Sequence, residues 1–342
     1  MSKVVHRKFN GKSKEEFFEL VRKVMEEADW KRYVKGRIFV KINILSDQVV
    51  PGQCTSPWMV EAVFRVLKGM DVYAGDANIA TGNQLEKGAE LWNYKKLCKR
   101  YGIKFVNLSN QKLIELETKE EIFSKIKIPK LLDDVDCIVT LPVLKTHNVT
   151  KMTFSMKNQW GCIPEFRHNY HLVADKCIAE INNILNVTFA VGDAMMCLEE
   201  NGPRVGRPKI VNSVLASNDL IAIDSAGAKI IGIDPKSVGY IVNGEKKGMG
   251  KIDFELVGDQ LVNEHFMPAL VENHFIVNTE LKLRKIKWLK KLIFETWFFK
   301  IPAFIASKYN SIYWYHLKGK KWARKIVRHN KFYKEQFGNL IR

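Results

Sequence analysis

Short apolar, β-branched runs alternate with segments of helical periodicity along most of this chain. Ser13-Lys-Glu-Glu16 has the capping-box pattern, and Phe17, Leu20, Val21, Val24, Met25 and Ala28 then recur at helical spacing. Residues 37–44, RIFVKINI, read as a strand, and Pro57 stands where a helix continuing over 59–67 would begin. Residues 71–75 read as a short strand ending in Gly75-Asp76-Ala77-Asn78, followed by a helix over about 85–101. Residues 103–107, 137–144, 187–191 and 211–216 predict further strands, and 172–185 and 220–231 further helices, the last capped by Asp219. This alternation predicts an α/β fold, with a mixed or largely parallel sheet flanked by helices.

The pattern changes from about Lys282. Leu283, Ile286, Leu289, Ile293 and Trp297 fall at helical spacing with lysines and arginines off that stripe, Pro302 breaks the run, and a later helix aligns Trp322, Ile326, Tyr333 and Phe337. The chain therefore divides into an α/β body over residues 1–262 and a basic, aromatic, all-helical extension over 263–342.

Composition sharpens that division. Residues 281–342 hold 17 Lys and Arg against two acids, Glu295 and Glu335, together with 14 aromatic residues, whereas residues 1–280 carry a net charge of only +3. With 46% hydrophobic and 27% charged residues the chain as a whole can bury a substantial core. No apolar run reaches the ~18–20 residues a membrane span needs, and the N-terminus lacks the apolar stretch of a secretory signal. The six cysteines form no CxxC pair, which argues against an iron–sulfur or zinc-ribbon module and fits reduced thiols in a cytoplasmic protein.

Candidate chemistry concentrates after residue 137. An apolar run gives way to Lys145, Thr146 and His147, then to Lys157 and Asn158. In open α/β sheets ligands bind beyond the carboxyl ends of the strands. Two cations and a group that titrates near neutrality make this strand end a candidate anion site, with His147 as acid–base group and Lys145 and Lys157 as holders. A solvated strand end is the plainer alternative. Arg167, His168 and His171 in EFRHNYH extend the same region, His171 as an acid–base or anion-contacting group. The two histidines would ligate a metal only if a carboxylate joined them, and no metal site is assigned. Asp76 and Asp193 follow glycines, which permit close ligand approach. With Asp224 they could orient His147, bind Mg²⁺ or contact a ribose. Asn43 and Asn158 donate and accept at once and could fix a substrate oxygen. Glu199 and Gly202 read as a pocket-edge loop. Walker, GxGxxG, GxSxG and HExxH patterns are absent.

These landmarks, in this order and spacing, resemble the family named domain of unknown function 362 over residues 37–260. The resemblance rests on Lys41-Ile-Asn43, Thr55-Ser-Pro57, Gly75-Asp76, Leu144-Lys145-Thr146-His147 and Lys157-Asn158-x-x-Gly161. It continues through His171, Asp193, Glu199, Gly202-Pro203, Asp219 and Asp224. Glu200 stands where the family often has a second glycine. The ferredoxin-like cysteine module of many members is missing, so the resemblance implies no iron–sulfur cluster here.

The expectation is an enzyme that binds an anionic small-molecule substrate or cofactor at the strand ends and carries out proton-transfer or redox chemistry there. Mg²⁺ or a nucleotide-type cofactor is compatible with it. The alternative is a non-catalytic ligand sensor or recruitment protein. Residues 281–342 would either pack their aromatics on the body with their lysines in water, or meet an anionic membrane surface or a protein partner, placing a cytoplasmic chain at the inner membrane face. Nucleic acid is the weaker fit, because the aromatics are mixed with Leu, Ile and Val.

Overall fold

The computed structural model describes residues 2–341 except 80, 81, 83, 164–166, 271–274, 285, 287, 289–291, 293–295, 297, 299, 300, 302, 303, 306 and 307, and except the side chains of 167, 168, 275–277, 280, 281, 310 and 311. The strands are β1 (Lys3–Lys8), β2 (Arg37–Ile42), β3 (Asp71–Asp76), β4 (Lys104–Asn107), β5 (Leu113–Glu117), β6 (Lys125–Pro129), β7 (Cys137–Leu141), β8 (Val143–His147), β9 (Lys151–Thr153), β10 (Val187–Glu199), β11 (Arg207–Ser217) and β12 (Glu255–Gly258). The main sheet runs in the order β12-β1-β11-β10-β7-β2-β3-β4, with β8 pairing to β10 and β9; β5 and β6 form a separate hairpin.

From β10 to β4 the pairings are parallel. The chain steps from β2 outward to β3 and β4, then returns to lay β7 against the other side of β2 and β10 beyond it. The strand order therefore reverses between β2 and β7, the switch point at which open α/β sheets bind ligands. Alternation along the strands feeds two cores. Ile38, Val40 and Ile42 pack with Val139 and Leu141 under the helices Lys14–Glu27 and Pro57–Val66. On the opposite face, Phe39 and Ile138 pack under Ala174–Ile184. A strand covered on both faces has no exposed side, so polar residues in its register are buried.

Local signals place the helices. The Ser13 hydroxyl accepts from Glu16 N at 3.3 Å and Glu16 returns the bond to Ser13 N, completing the capping box. Asp219 caps Leu220–Ile230 by accepting from Ile221 N and Ala222 N at 2.8 and 2.9 Å.

Several boundaries differ from the sequence expectation. The helix expected over 85–101 is two, Leu85–Leu91 and Tyr94–Tyr101, because Asn93 takes a left-handed conformation at φ 63°. The run 137–144 is split by Pro142, which lacks the N–H a continuous strand would donate. The strand expected at 187–191 continues to Glu199, so Asp193 lies within β10 and not at its end. β1, β9, β12 and the β5–β6 hairpin have no counterpart in the sequence expectation.

In the tail, most of the stripe from Leu283 to Trp297, and Pro302, lie outside the described residues. The helix expected through Trp322 and Phe337 is two, Lys320–His329 and Lys331–Phe337, separated by Asn330 in extended conformation. The second belongs to the body's core. Phe332 meets Trp58 edge-on at 4.9 Å, Phe337 meets Trp92 at 6.1 Å, and the Tyr333 hydroxyl lies 2.7 Å from Asn212 Oδ1 and 3.1 Å from Met195 O. Trp314 packs on Val50 and Val205.

Candidate functional site

Lys41 sits next to the switch point, in register with Thr140 of the adjacent strand β7. It is fully buried, and its ammonium is saturated: it pairs with Asp76 at 2.8 Å and donates to Ile42 O at 2.9 Å and Asn158 Oδ1 at 3.3 Å. Asp76 ends β3 and also accepts from Ile44 N and Ala77 N at 2.8 and 2.7 Å. Asn158 is satisfied on both sides, its amide nitrogen donating to Lys41 O at 3.1 Å and Thr140 Oγ1 at 2.9 Å.

The network continues across the switch. Asn43, just beyond β2 and partly exposed, donates to Asn158 Oδ1 at 3.2 Å. Its own oxygen accepts from the Lys145 ammonium at 2.7 Å, and Lys145 donates again to Gln53 O at 2.5 Å. Lys145 is 1% exposed, and among the described residues no carboxylate forms an ion pair with it. Burial therefore pushes its ammonium down to about 8, with Asp193 and Asp76 acting in the opposite direction. Lys145 has three N–H donors and two acceptors among the described residues, so one hydrogen has no partner among them.

Other predicted residues hold this arrangement from behind. Asp193 accepts from Ser56 N at 2.8 Å at the start of Pro57–Val66, and burial pushes its carboxyl up. Asp224 accepts from Ser155 N and Met156 N at 2.5 and 2.9 Å, anchoring the short helix Ser155–Asn158 that carries Lys157 and Asn158. Burial pushes Asp224 up to about 8. The Lys157-Asn158-x-x-Gly161 spacing acquires a reason. A Cβ on Gly161 would lie 2.3 Å from Asp76 Oδ1 and 2.9 Å from Lys41 Nζ, so only glycine lets this turn close on the ion pair. Lys157 lies 5.4 Å over the Trp160 ring.

The remaining candidates stand apart from the network. His147 ends β8, partly exposed, and its Nδ1 accepts from Val149 N at 3.1 Å. His171 lines a hollow of about 380 Å³ with Asn148, Val149 and Asp175. Glu199 pairs with Arg207 and accepts from Met267 N at 3.1 Å. Gly202 presses on β8, where a Cβ would meet Thr146 O at 2.0 Å. The Arg167 side chain lies outside the described residues. All six cysteines are free and buried. Among the described residues no three His, Cys, Asp or Glu side chains gather as a metal ligand set. Two participants were not predicted. Lys41 stands in the sequence only as part of the Lys41-Ile-Asn43 landmark with no role assigned to it, and the doubly covered strand around it is the signal that it is buried. Gln53 is recruited through its backbone, which leaves no trace in sequence.

The chain is 28% identical over 232 residues to a protein described as thylakoid-associated protein sll1697 of Synechocystis, covering 64% of this chain and 70% of that one. It also resembles two solved structures. One is a Thermotoga maritima protein, at TM-score 0.40 and 12% identity over 71% of this chain and 61% of that chain. The other is the lactate racemase apoprotein of Thermoanaerobacterium thermosaccharolyticum, at TM-score 0.38 and 16% identity over 68% and 58%. The chain spans about three fifths of each of those two proteins, and at these scores no argument rests on either. Residues 38–229, more than half of the chain and including every residue of the network, match one family, and the chain belongs to it: the domain of unknown function DUF362.

Proposed function

We propose that the switch-point network binds an anionic small molecule and that Lys145 exchanges a proton with it. One observation carries this reading: a fully buried amine, pushed by burial down to about 8, whose three hydrogens meet only two acceptors among the described residues. An amine in that range can hold an anion when protonated and act as a base when neutral. Asn43 orients the ligand from the solvent side. Lys41, Asp76 and Asn158 hold the frame, Asp193 tunes Lys145, and Asp224 positions Asn158. His147 lies two residues along β8, about 7 Å away by strand geometry and on the same side of the strand, suited to pass protons to solvent. The loop 43–56 and the turn 200–206 border the network, so a ligand enters as one of them moves.

Native mass spectrometry after exposure to a pool of small organic anions tests the reading. The wild type should carry an adduct that Lys145→Met loses without losing its fold. Equal adducts on both proteins, or none on the wild type, overturn it.

A second reading concerns the tail, which we propose meets an anionic membrane surface. Trp288, Phe304, Ile312 and Tyr313 are 66, 62, 58 and 58% exposed within the strongly basic segment. Apolar rings beside lysines suit the headgroup region. The Synechocystis relative's description as thylakoid-associated lends support. No helix among the described residues is long and apolar enough to cross a membrane. Full-length protein should sediment with anionic vesicles, and W288E/F304E/I312E should not. Equal sedimentation of the two would refute the reading.

A further inference from the structure

Loops ordinarily run over a protein's surface, yet the turn 50–53 is buried throughout, with Val50 and Gln53 0% exposed. Part of its cover comes from the tail. Trp314 lies on the helical segment Tyr309–Gly319 and is 5% exposed. It packs with Val50 and Val205 as a cluster separate from the body's larger cores.

Val50 and Val205 belong to the two segments that border the Lys145 network, and those segments are clasped together. Gln53 N donates to Val50 O at 3.0 Å and closes the turn. The Gln53 side-chain amide donates to Arg204 O at 2.5 Å, one residue before Val205. Arg204 Nη2 lies 3.8 Å from Asp47 Oδ1, and the Thr146 hydroxyl on β8 donates to Glu200 O at 3.0 Å. Gln53 O in turn accepts from the Lys145 ammonium at 2.5 Å. An unbroken run of contacts thus leads from the Trp314 ring, through two valines and Gln53, to the buried amine.

The two sides of the covering segment differ. Its inner side carries Trp314 and Gly319, where a Cβ would lie 2.8 Å from the Trp314 ring, and Trp322 braces that ring edge-on at 6.2 Å. Its outer side shows Ile312, Tyr313 and Leu317, 58, 58 and 48% exposed. A cluster of three side chains is a small satellite of the core, and such contacts open locally before the fold as a whole unfolds.

We propose that Trp314 is a strap: seated on Val50 and Val205, it holds the loop 43–56 and the turn 200–206 shut over Lys145, and its lifting admits the ligand. The proposal rests on the reading of Lys145 as the ligand site and adds control of access to it. It gives the tail a hold on the body's chemistry, whatever the tail's outer side meets.

Amine acetylation of the full-length chain tests this, with a water-soluble N-hydroxysuccinimide ester of acetate as probe and peptide mass spectrometry reading Lys145. In the wild type Lys145 should react far more slowly than the exposed lysines. Trp314→Ala should speed that reaction at least about tenfold, because truncating a buried aromatic shifts the local opening equilibrium. Lys41, held by Asp76 and Asn158, should stay protected in both proteins, and Leu317→Ala on the outer side should match the wild type. Val205→Ala trims the other half of the contact and should act in the same direction, so it decides if Trp314→Ala does not fold. Lys145 reacting in the wild type as fast as exposed lysines, or at equal rates in the wild type and both strap variants, overturns the inference. A parallel rise at Lys41 also overturns it, since that reports general loosening. Acetylation reads access whereas adducts read binding, so these outcomes leave the Lys145 reading standing. An adduct that Lys145→Met retains would remove that reading without changing the rates.

Discussion

Replacing Lys145 with methionine tests whether the amine is a perturbed base or an ordinary lysine. An exposed lysine titrates near about 10.4, whereas burial brings this one to about 8. Below about pH 8 both folded and unfolded chains are protonated at this position, and the folded state bears the full cost of a buried ammonium. Between about 8 and 10.4 the unfolded chain still holds a proton that the folded chain has released, so stability rises with pH. A displacement of roughly 2.4 pH units corresponds to about 3 kcal/mol. At 1% exposure, solvent screening removes little of it. Methionine has no proton to exchange, so the variant lacks this rise, while every other titrating group is common to both proteins. The difference in unfolding free energy, wild type minus Lys145→Met, should therefore grow by about 3 kcal/mol from pH 7.5 to 10.5. Urea unfolding followed by tryptophan fluorescence at a series of pH values reads it directly. Parallel curves across that range would mean that Lys145 titrates normally, and the proton-transfer proposal would lose its residue.

Gly161→Ala should cost about 1–3 kcal/mol by overpacking and should weaken anion binding, because the new methyl collides with Asp76 and Lys41; unfolding and calorimetry on the same sample check both. Asp224→Asn should have the opposite pH signature to Lys145→Met. A carboxyl raised to about 8 contributes stability that is present below about pH 4 and lost as pH rises to 8, so wild type minus variant should fall across that window; a flat difference would show that Asp224 is ionised throughout. Tyr333→Phe should cost about 1–2 kcal/mol in chemical unfolding, because Met195 O and Asn212 Oδ1 lose their shared hydroxyl; no change would mean that the C-terminal helix is not part of the cooperative unit.

Sequence reading reached the α/β alternation and the convergence of Asn43, Asp76, Lys145 and Asn158, because a strand followed by abrupt polarity is a local signal of a strand end. It misplaced Asp193, since a glycine and an acid after an apolar run look like a turn; only the long antiparallel partner β11 carries β10 past them. Val205 lies in a Gly- and Pro-containing turn, and nothing nearby shows that Trp314, more than a hundred residues later, packs on it. The same long-range packing hid the fate of Phe332, Tyr333 and Phe337. Their spacing predicts an apolar face and leaves the body or an outside partner as its cover; for these three residues the cover is the body's core.

The two buried lysines are not equivalent, and the difference bears on function. Replacing a buried ion pair by apolar residues of similar volume is often neutral or stabilising, so fold stability alone does not explain a lysine in the middle of a covered parallel sheet. Lys41, with every hydrogen used and Asp76 at 2.8 Å, fits a structural role: it ties β2 to β3 and to the Asn158 turn. Lys145 has no such closure. It faces two neutral oxygens, keeps one hydrogen unspent and shifts its titration instead of finding a counter-ion. If both lysines served the fold, methionine at either position should destabilise at neutral pH with no selective loss of ligand. If the division is as the geometry indicates, Lys41→Met leaves Asp76 as an uncompensated buried charge and costs several kcal/mol. Lys145→Met instead removes a charge the fold was already straining to hold, and its main loss is the anion.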